Sequence, residues 1–224
     1  MGEMIEFAAN GGRGSGYLAK PASGSGPGLL VIQEWWGLVD HIKQVADRFA
    51  KAGFVALAPD MYHGETTTSP DDAGRLMMAL DIEHAGKDLR GAAEHLLSLD
   101  AVTSKTVGAL GFCMGGQLAL YAAVEHPQIA ACVDFYGIHP EVKPDFAKLK
   151  GKVLCHWGKD DAFVTPDAAK ALVDAIRAAG GTVETHTYDA GHAFFNDSRP
   201  DAYDEESAKL AWDRTLTFLR AALA

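Results

Sequence analysis

Six short, largely apolar runs recur along the chain, at Leu29–Gln33, Phe54–Ala58, Val107–Phe112, Ile129–Tyr136, Val153–Trp157 and Val183–Tyr188. Several lack the polar/apolar alternation of a half-exposed strand, as expected of strands covered by helices on both faces. Between them lie stretches of helical period near 40–52, 71–80, 84–98, 115–125, 166–179 and 203–222. This rhythm predicts an α/β fold with a doubly wound, mostly parallel sheet. Segments around Ile5–Phe7 and Tyr17–Lys20 suggest an antiparallel edge hairpin. The glycine cluster Gly11–Gly16 fits neither GxGxxG nor a Walker pattern and reads as a turn leading into a strand. No repeat or composition shift divides the 224 residues, so one domain is expected over residues 1–224.

Charge narrows the partners. Twenty basic against 30 acidic residues leave a formal net charge of −10, which repels nucleic-acid backbones and anionic lipid surfaces. A small-molecule partner is expected, and the oligomeric state is left open. No apolar run approaches the roughly 20 residues of a membrane helix. The acidic start MGEMIEF does not resemble a signal peptide. The three cysteines, Cys113, Cys132 and Cys155, offer neither a disulfide framework nor a CxxC zinc pair. A reducing cytoplasm is the expected location. Neither a metal nor an organic cofactor is called for, since HExxH and clustered ligand spacings are missing.

One strand-to-helix junction carries chemistry. Val107-Gly-Ala-Leu-Gly-Phe-Cys-Met-Gly-Gly116 runs from an apolar strand through G-x-C-x-G into the helical stretch Gln117–Val124. This is the form of the nucleophile elbow of α/β-hydrolases. There, small residues two positions either side of the nucleophile let strand and helix pass closely. Cys113 is the candidate nucleophile, and the helix start beyond it favours negative charge nearby. Cys132 and Cys155, inside apolar runs, read as small buried hydrophobes.

A triad in such a fold places an acid and then a histidine after later strands. The run Val153–Trp157 ends in a loop holding Asp160 and Asp161, and Val183–Tyr188 leads into a loop holding His192. The imidazole would take the thiol proton, and a carboxylate would fix its tautomer. On spacing alone Asp160 and Asp161 compete for that role.

The segments Gln33-Glu-Trp-Trp-Gly37, Gly111-Phe-Cys-Met-Gly115, Asp160-Asp-Ala-Phe-Val164 and Gly191-His-Ala-Phe194 resemble those of the dienelactone hydrolase family, in order and over nearly the whole chain. The resemblance implies a single-domain α/β-hydrolase that cleaves a carboxylic ester or lactone through a cysteine thioester. It selects Asp161 over Asp160 and His192 among the nine histidines. It also makes Glu34 a partner of the resting thiol, and the backbone N–H groups of Trp35 and Met114 the oxyanion-hole donors. Trp36, Tyr136 and Phe194 become candidate substrate-pocket walls.

The chain departs from the family pattern at the two arginines that hold a substrate carboxylate. Pro70 and Asn196 stand at those positions, with Arg75 and Arg199 as the nearest substitutes. Specificity for a carboxylated lactone is therefore not expected to follow from the resemblance. Two alternatives remain: a same-fold esterase or thioesterase with an unrelated substrate, and a small-molecule-binding relative whose thiol senses redox state.

Overall fold

The computed structural model describes residues 2–224; Met1, which begins the acidic N-terminal segment, lies outside them. Along the chain run β1 (Glu3–Ala9), β2 (Gly12–Ala19), β3 (Gly26–Ile32), α1 (Asp40–Lys51), β4 (Val55–Pro59), α2 (Pro70–Ala79) and α3 (Ile82–Ser98). They are followed by β5 (Val102–Phe112), α4 (Met114–Glu125), β6 (Ile129–Phe135), β7 (Lys152–Gly158), α5 (Pro166–Ala178), β8 (Val183–Tyr188) and α6 (Glu205–Ala222). The strands form one sheet in the order β1-β2-β4-β3-β5-β6-β7-β8. β1 pairs antiparallel with β2 and β2 antiparallel with β4, while the rest of the sheet is parallel.

The helices divide between the two faces as their apolar stripes require. α1 buries Ile42, Val45, Ala46, Phe49 and Ala50, a spacing of one helical face. It packs in one apolar cluster with Ala208, Ala211 and Leu219 of α6. Leu89, Leu96, Leu118 and Ile176, from α3, α4 and α5, lie in the cluster on the other face. Thr165 caps the start of α5, its hydroxyl accepting the Ala168 N–H, and Asp204 caps α6, its carboxylate accepting the Ser207 N–H.

The edge hairpin is longer than the sequence suggested, and the glycine cluster lies mostly inside it. The two-residue turn is Asn10-Gly11, with φ of 50° and 74°. That pair of positive φ values suits the primed turns that match strand twist. Gly12–Gly16 belong to β2. At Gly16 an added Cβ would lie 2.7 Å from the Ala58 carbonyl oxygen, so the close pairing with β4 explains the glycine.

The order β4-β3-β5 contains the switch point of the sheet. The connection after β3 leaves by α1 on one face, and that after β5 by α4 on the other. A crevice opens at the carboxyl ends of such a strand pair, where ligands bind in open α/β sheets. Glu34 and Trp35 follow β3 there, and Cys113 and Met114 follow β5.

Candidate functional site

Cys113 sits at φ 53° and ψ −122°, outside the regions that L-residues favour. The turn is fixed on several sides. The Cys113 N–H donates to the Phe135 carbonyl at 3.0 Å, and its own carbonyl accepts from the Gly116 and Ile138 N–H groups at 3.0 and 3.1 Å. The flanking glycines have no alternative. An added Cβ at Gly111 would come 2.0 Å from the Gly115 carbonyl oxygen, and one at Gly115 2.4 Å from that of Gln33. Tyr136 (φ 42°) and Ala193 (φ 62°) are also left-handed and border the same region. Strained backbone of this kind gathers where surrounding structure over-determines it, often at functional sites.

Asp161 and His192 come from the loops that follow β7 and β8, the last two strands of the sheet. His192 Nδ1 lies 2.8 Å from Asp161 Oδ2. The other carboxylate oxygen, Oδ1, accepts the N–H groups of Phe163 and Val164 at 2.7 and 2.8 Å. The two loops are stitched by the Asp160 N–H, which donates to the Ala190 carbonyl at 3.1 Å. Asp160 is exposed whereas Asp161 is buried, so burial and bonding now separate two residues that spacing alone did not.

Below these loops, His156 of β7 is wholly buried between the hydroxyls of Tyr188 (2.8 Å) and Thr215 (3.0 Å). Burial holds its imidazole well below the ordinary pKa, so it serves as a neutral strut between β7, β8 and α6.

Glu34 is buried beside the thiol. Asn196 donates its amide to Glu34 Oε2 at 2.7 Å, while Oε1 has no partner. Burial raises the Glu34 pKa, opposed by the Asn196 bond and by the charges of His192 and Arg199. Burial, and then the neighbouring Glu34 carboxylate, push the Cys113 thiol far above its usual value. The Met114 and Trp35 N–H groups, both directed at the sulfur, pull it the other way. Two backbone donors converging on one atom also suit a developing oxyanion next to it.

The remaining candidates separate. Trp36 lines a cleft of about 530 Å³ together with Thr67, Thr68, Pro70, Asn196 and Arg199. The Arg199 guanidinium lies 5.4 Å from the Trp36 ring centre. Tyr136 is fully buried with its ring 5.0 Å from that of His192, and its hydroxyl has no hydrogen-bond partner. Phe194 lies behind it at 5.3 Å and is likewise buried, so it supports the site from the core rather than lining a cavity.

Arg75 corrects the expectation of a substrate contact. Its exposed side chain pairs with Asp72 on α2 and does not line the cleft. Helical spacing explains this, since residues three apart share a surface and an aspartate there captures the guanidinium.

Two neighbours were not singled out from the sequence. The Tyr62 hydroxyl bonds to Met114 Sδ at 3.1 Å, and its pKa is raised by burial and then by Cys113. Asp134, near the end of β6, is fully buried, and the Gly137 N–H is the one backbone donor turned toward its carboxyl. An added Cβ at Gly116 or Gly137 would come 2.2 Å from its Oδ1. Burial pushes its pKa up to about 7. The only sequence signal for Asp134 was a charged residue inside an apolar run.

Comparison with known proteins follows the same outline. The model of the dienelactone hydrolase family matches residues 15–223. The chain belongs to the dienelactone hydrolase family. It is a carboxylic ester hydrolase, of the class that includes lactone hydrolases. It is 38% identical to protein usf of Aquifex pyrophilus, over 98% of both chains. It is also 34% identical to a carboxymethylenebutenolidase of a Pseudomonas strain, covering 95% of this chain and 92% of that one. Among solved structures it resembles a dienelactone hydrolase-like promiscuous phosphotriesterase from metagenomic libraries. The TM-score is 0.89 at 25% identity, over 100% of this chain and 99% of the other. The mostly parallel sheet described above, with helices on both faces, has the α/β-hydrolase architecture. Among the described residues no helix is long and apolar enough to cross a membrane.

Proposed function

We propose that this single-domain hydrolase cleaves its ester or lactone by covalent catalysis, with Cys113 as nucleophile, His192 as general base and acid, and Asp161 as the group that orients His192. The observation that carries the reading is the left-handed Cys113 at a helix start, joined with the 2.8 Å His192–Asp161 contact on adjacent loops. Asp161 bound at Nδ1 leaves the other imidazole nitrogen, Nε2, for the thiol.

The steps follow from that arrangement. Nε2 accepts the Cys113 proton as sulfur attacks the substrate carbonyl carbon. The carbonyl oxygen takes the negative charge and accepts the N–H groups of Trp35 and Met114. The tetrahedral adduct collapses, the bond to the leaving oxygen breaks, and His192 returns the proton to that oxygen. A water molecule, deprotonated by His192, then attacks the thioester, and the acid product leaves as Cys113 recovers its proton.

Glu34 keeps the resting thiol neutral. A carboxylate beside sulfur opposes the thiolate, which protects an aerobic enzyme because oxidation and alkylation follow thiolate character. Trp36 belongs to the substrate cleft, and Tyr136 packs the inner side of His192. With Asn196 committed to Glu34 and the Arg199 guanidinium held over the Trp36 ring, no free guanidinium fork faces a substrate carboxylate, and the cleft favours uncharged esters and lactones. A cytoplasmic location keeps such a thiol reduced.

The experiment is a panel of p-nitrophenyl esters and unsubstituted lactones, assayed with and without iodoacetamide. The reading predicts hydrolysis that is lost in step with alkylation of one cysteine. Hydrolysis that survives full alkylation of Cys113 contradicts it.

A further inference from the structure

Phe163 is the most exposed large apolar side chain among the described residues, at 60%. A single exposed apolar residue is ordinary on a protein surface. What distinguishes Phe163 is its attachment. Its N–H donates to Asp161 Oδ1 at 2.7 Å, and the next residue, Val164, is buried and bonded to the same oxygen at 2.8 Å. Its ring centre lies 4.9 Å from that of His192, inclined by 52°. The backbone of this residue is therefore set by the carboxylate that orients His192, and its ring meets that imidazole and also faces water.

We infer that Phe163 is the wall against which the leaving group of the substrate rests, and that it favours esters whose leaving alcohol is aromatic or bulky and apolar. This rests on the triad proposed above. The imidazole that accepts the thiol proton must hand it to the leaving oxygen, so that oxygen lies beside His192. A substituent on the oxygen is therefore next to whatever exposed group borders His192. Tyr136, the other aromatic neighbour at 5.0 Å, is wholly buried and has no surface left for it. Phe163 does, and an aromatic leaving group packed edge-to-face or offset on it removes apolar area from water on both partners. The acyl portion lies across the scissile bond, toward the Trp36 cleft, and does not reach Phe163.

The test compares wild type with Phe163→Ala and Phe163→Leu by kcat/KM on two ester series. Methyl, benzyl and phenyl acetates vary the leaving group, and methyl acetate, butyrate and hexanoate vary the acyl chain. Because kcat/KM reports acylation, each variant's ratio to wild type cancels the intrinsic reactivity of an ester. The wall predicts that Phe163→Ala loses about tenfold more on benzyl and phenyl acetate than on methyl acetate. It also predicts that the loss resides in KM, that Phe163→Leu falls between, and that the deficit is constant along the acyl series.

An equal loss on all leaving groups, with a displaced acid limb of the pH profile, would mean that Phe163 only shelters His192 and would overturn the inference. A deficit that grows with acyl length, or no deficit, overturns it as well. Failure of the triad is distinguishable, since it appears in wild type as turnover without an adduct on Cys113.

Discussion

Asn196 donates its side-chain amide to Glu34 Oε2 at 2.7 Å, and its own carbonyl oxygen accepts both the Ser198 N–H (3.1 Å) and the Ser198 hydroxyl (2.6 Å). The amide is thus committed on both sides, with a neutral group where family members that bind carboxylated lactones carry an arginine. Two consequences follow, one for the thiol and one for the substrate.

For the thiol, Glu34→Gln removes the like charge that opposes thiolate formation. Relief of one close carboxylate is worth about one pKa unit or more, so free Glu34→Gln enzyme is expected to react with iodoacetamide about tenfold faster near neutral pH. Ester turnover is expected to fall, because in wild type a substrate that draws Glu34 away from the sulfur lets the thiolate form on binding, and the variant lacks that coupling. A pH series of alkylation rates, with and without that ligand, checks this. Superimposable curves for the two proteins would show that Glu34 does not control Cys113.

For the substrate, wild type should hydrolyse neutral aryl esters and unsubstituted lactones at least as well as carboxylated dienelactones. Asn196→Arg restores a guanidinium fork able to pair bidentately with a carboxylate, and should move kcat/KM toward the carboxylated lactone by about tenfold, given the strength of such charge-assisted bonds. Arg75→Ala should leave the preference unchanged, since Arg75 pairs with Asp72 on the exposed side of α2. A strong wild-type preference for the carboxylated lactone that Arg75→Ala or Arg199→Ala abolishes would contradict this picture.

Asp134 gives stability a pH dependence. Its carboxyl titrates at about 7 when folded, above the ordinary value of 3.8. Below 3.8 both folded and unfolded chains hold the proton, and Asp134 adds no penalty. As pH rises from there toward 7, only the unfolded chain releases it, so stability falls; above 7 the loss is constant. The full shift corresponds to about 4 kcal/mol at the conversion of 1.36 kcal/mol per pKa unit, as an upper bound for a site that relaxes. Asp134→Asn should therefore flatten the fall in Tm between pH 4 and 7. Parallel Tm curves would place the ionisation elsewhere.

The elbow tolerates no side chain at Gly111. Gly111→Ala forces its methyl against the Gly115 carbonyl and should cost about 3 kcal/mol, at the upper end of overpacking penalties. Thermal unfolding reads the cost directly. A variant as stable as wild type would mean that the strand and helix separate more easily than their packing implies.

Much of this was legible beforehand because a doubly wound sheet leaves strong marks. Runs such as Leu29–Gln33 and Val153–Trp157 are almost wholly apolar, being covered on both faces, and the elbow glycines are forced by the close approach of β5 and α4. The hairpin was clear in kind but not in extent. The glycine-rich Gly12–Gly16 has no strand periodicity, and its place in β2 is set by pairing with β1 and β4. Arg75 and Phe194 show the same limit at the site. Their numbers place them near it, but an ion pair turns Arg75 outward and core packing withdraws Phe194. Tyr62 gave no advance signal, and Asp134 only that of a charge inside an apolar run, because Met114 and Gly116 are brought to them by tertiary contact.

The account rests on a thioester at Cys113, and intact-mass spectrometry with peptide mapping during turnover of a slow aryl ester tests it most directly. The predicted result is one acyl group on Cys113 that forms in a burst and decays at the rate of kcat. It should be missing from a folded, inactive Cys113→Ala protein, while Cys132→Ala and Cys155→Ala still form it. An adduct on another residue, or an active Cys113→Ala protein, would contradict the account.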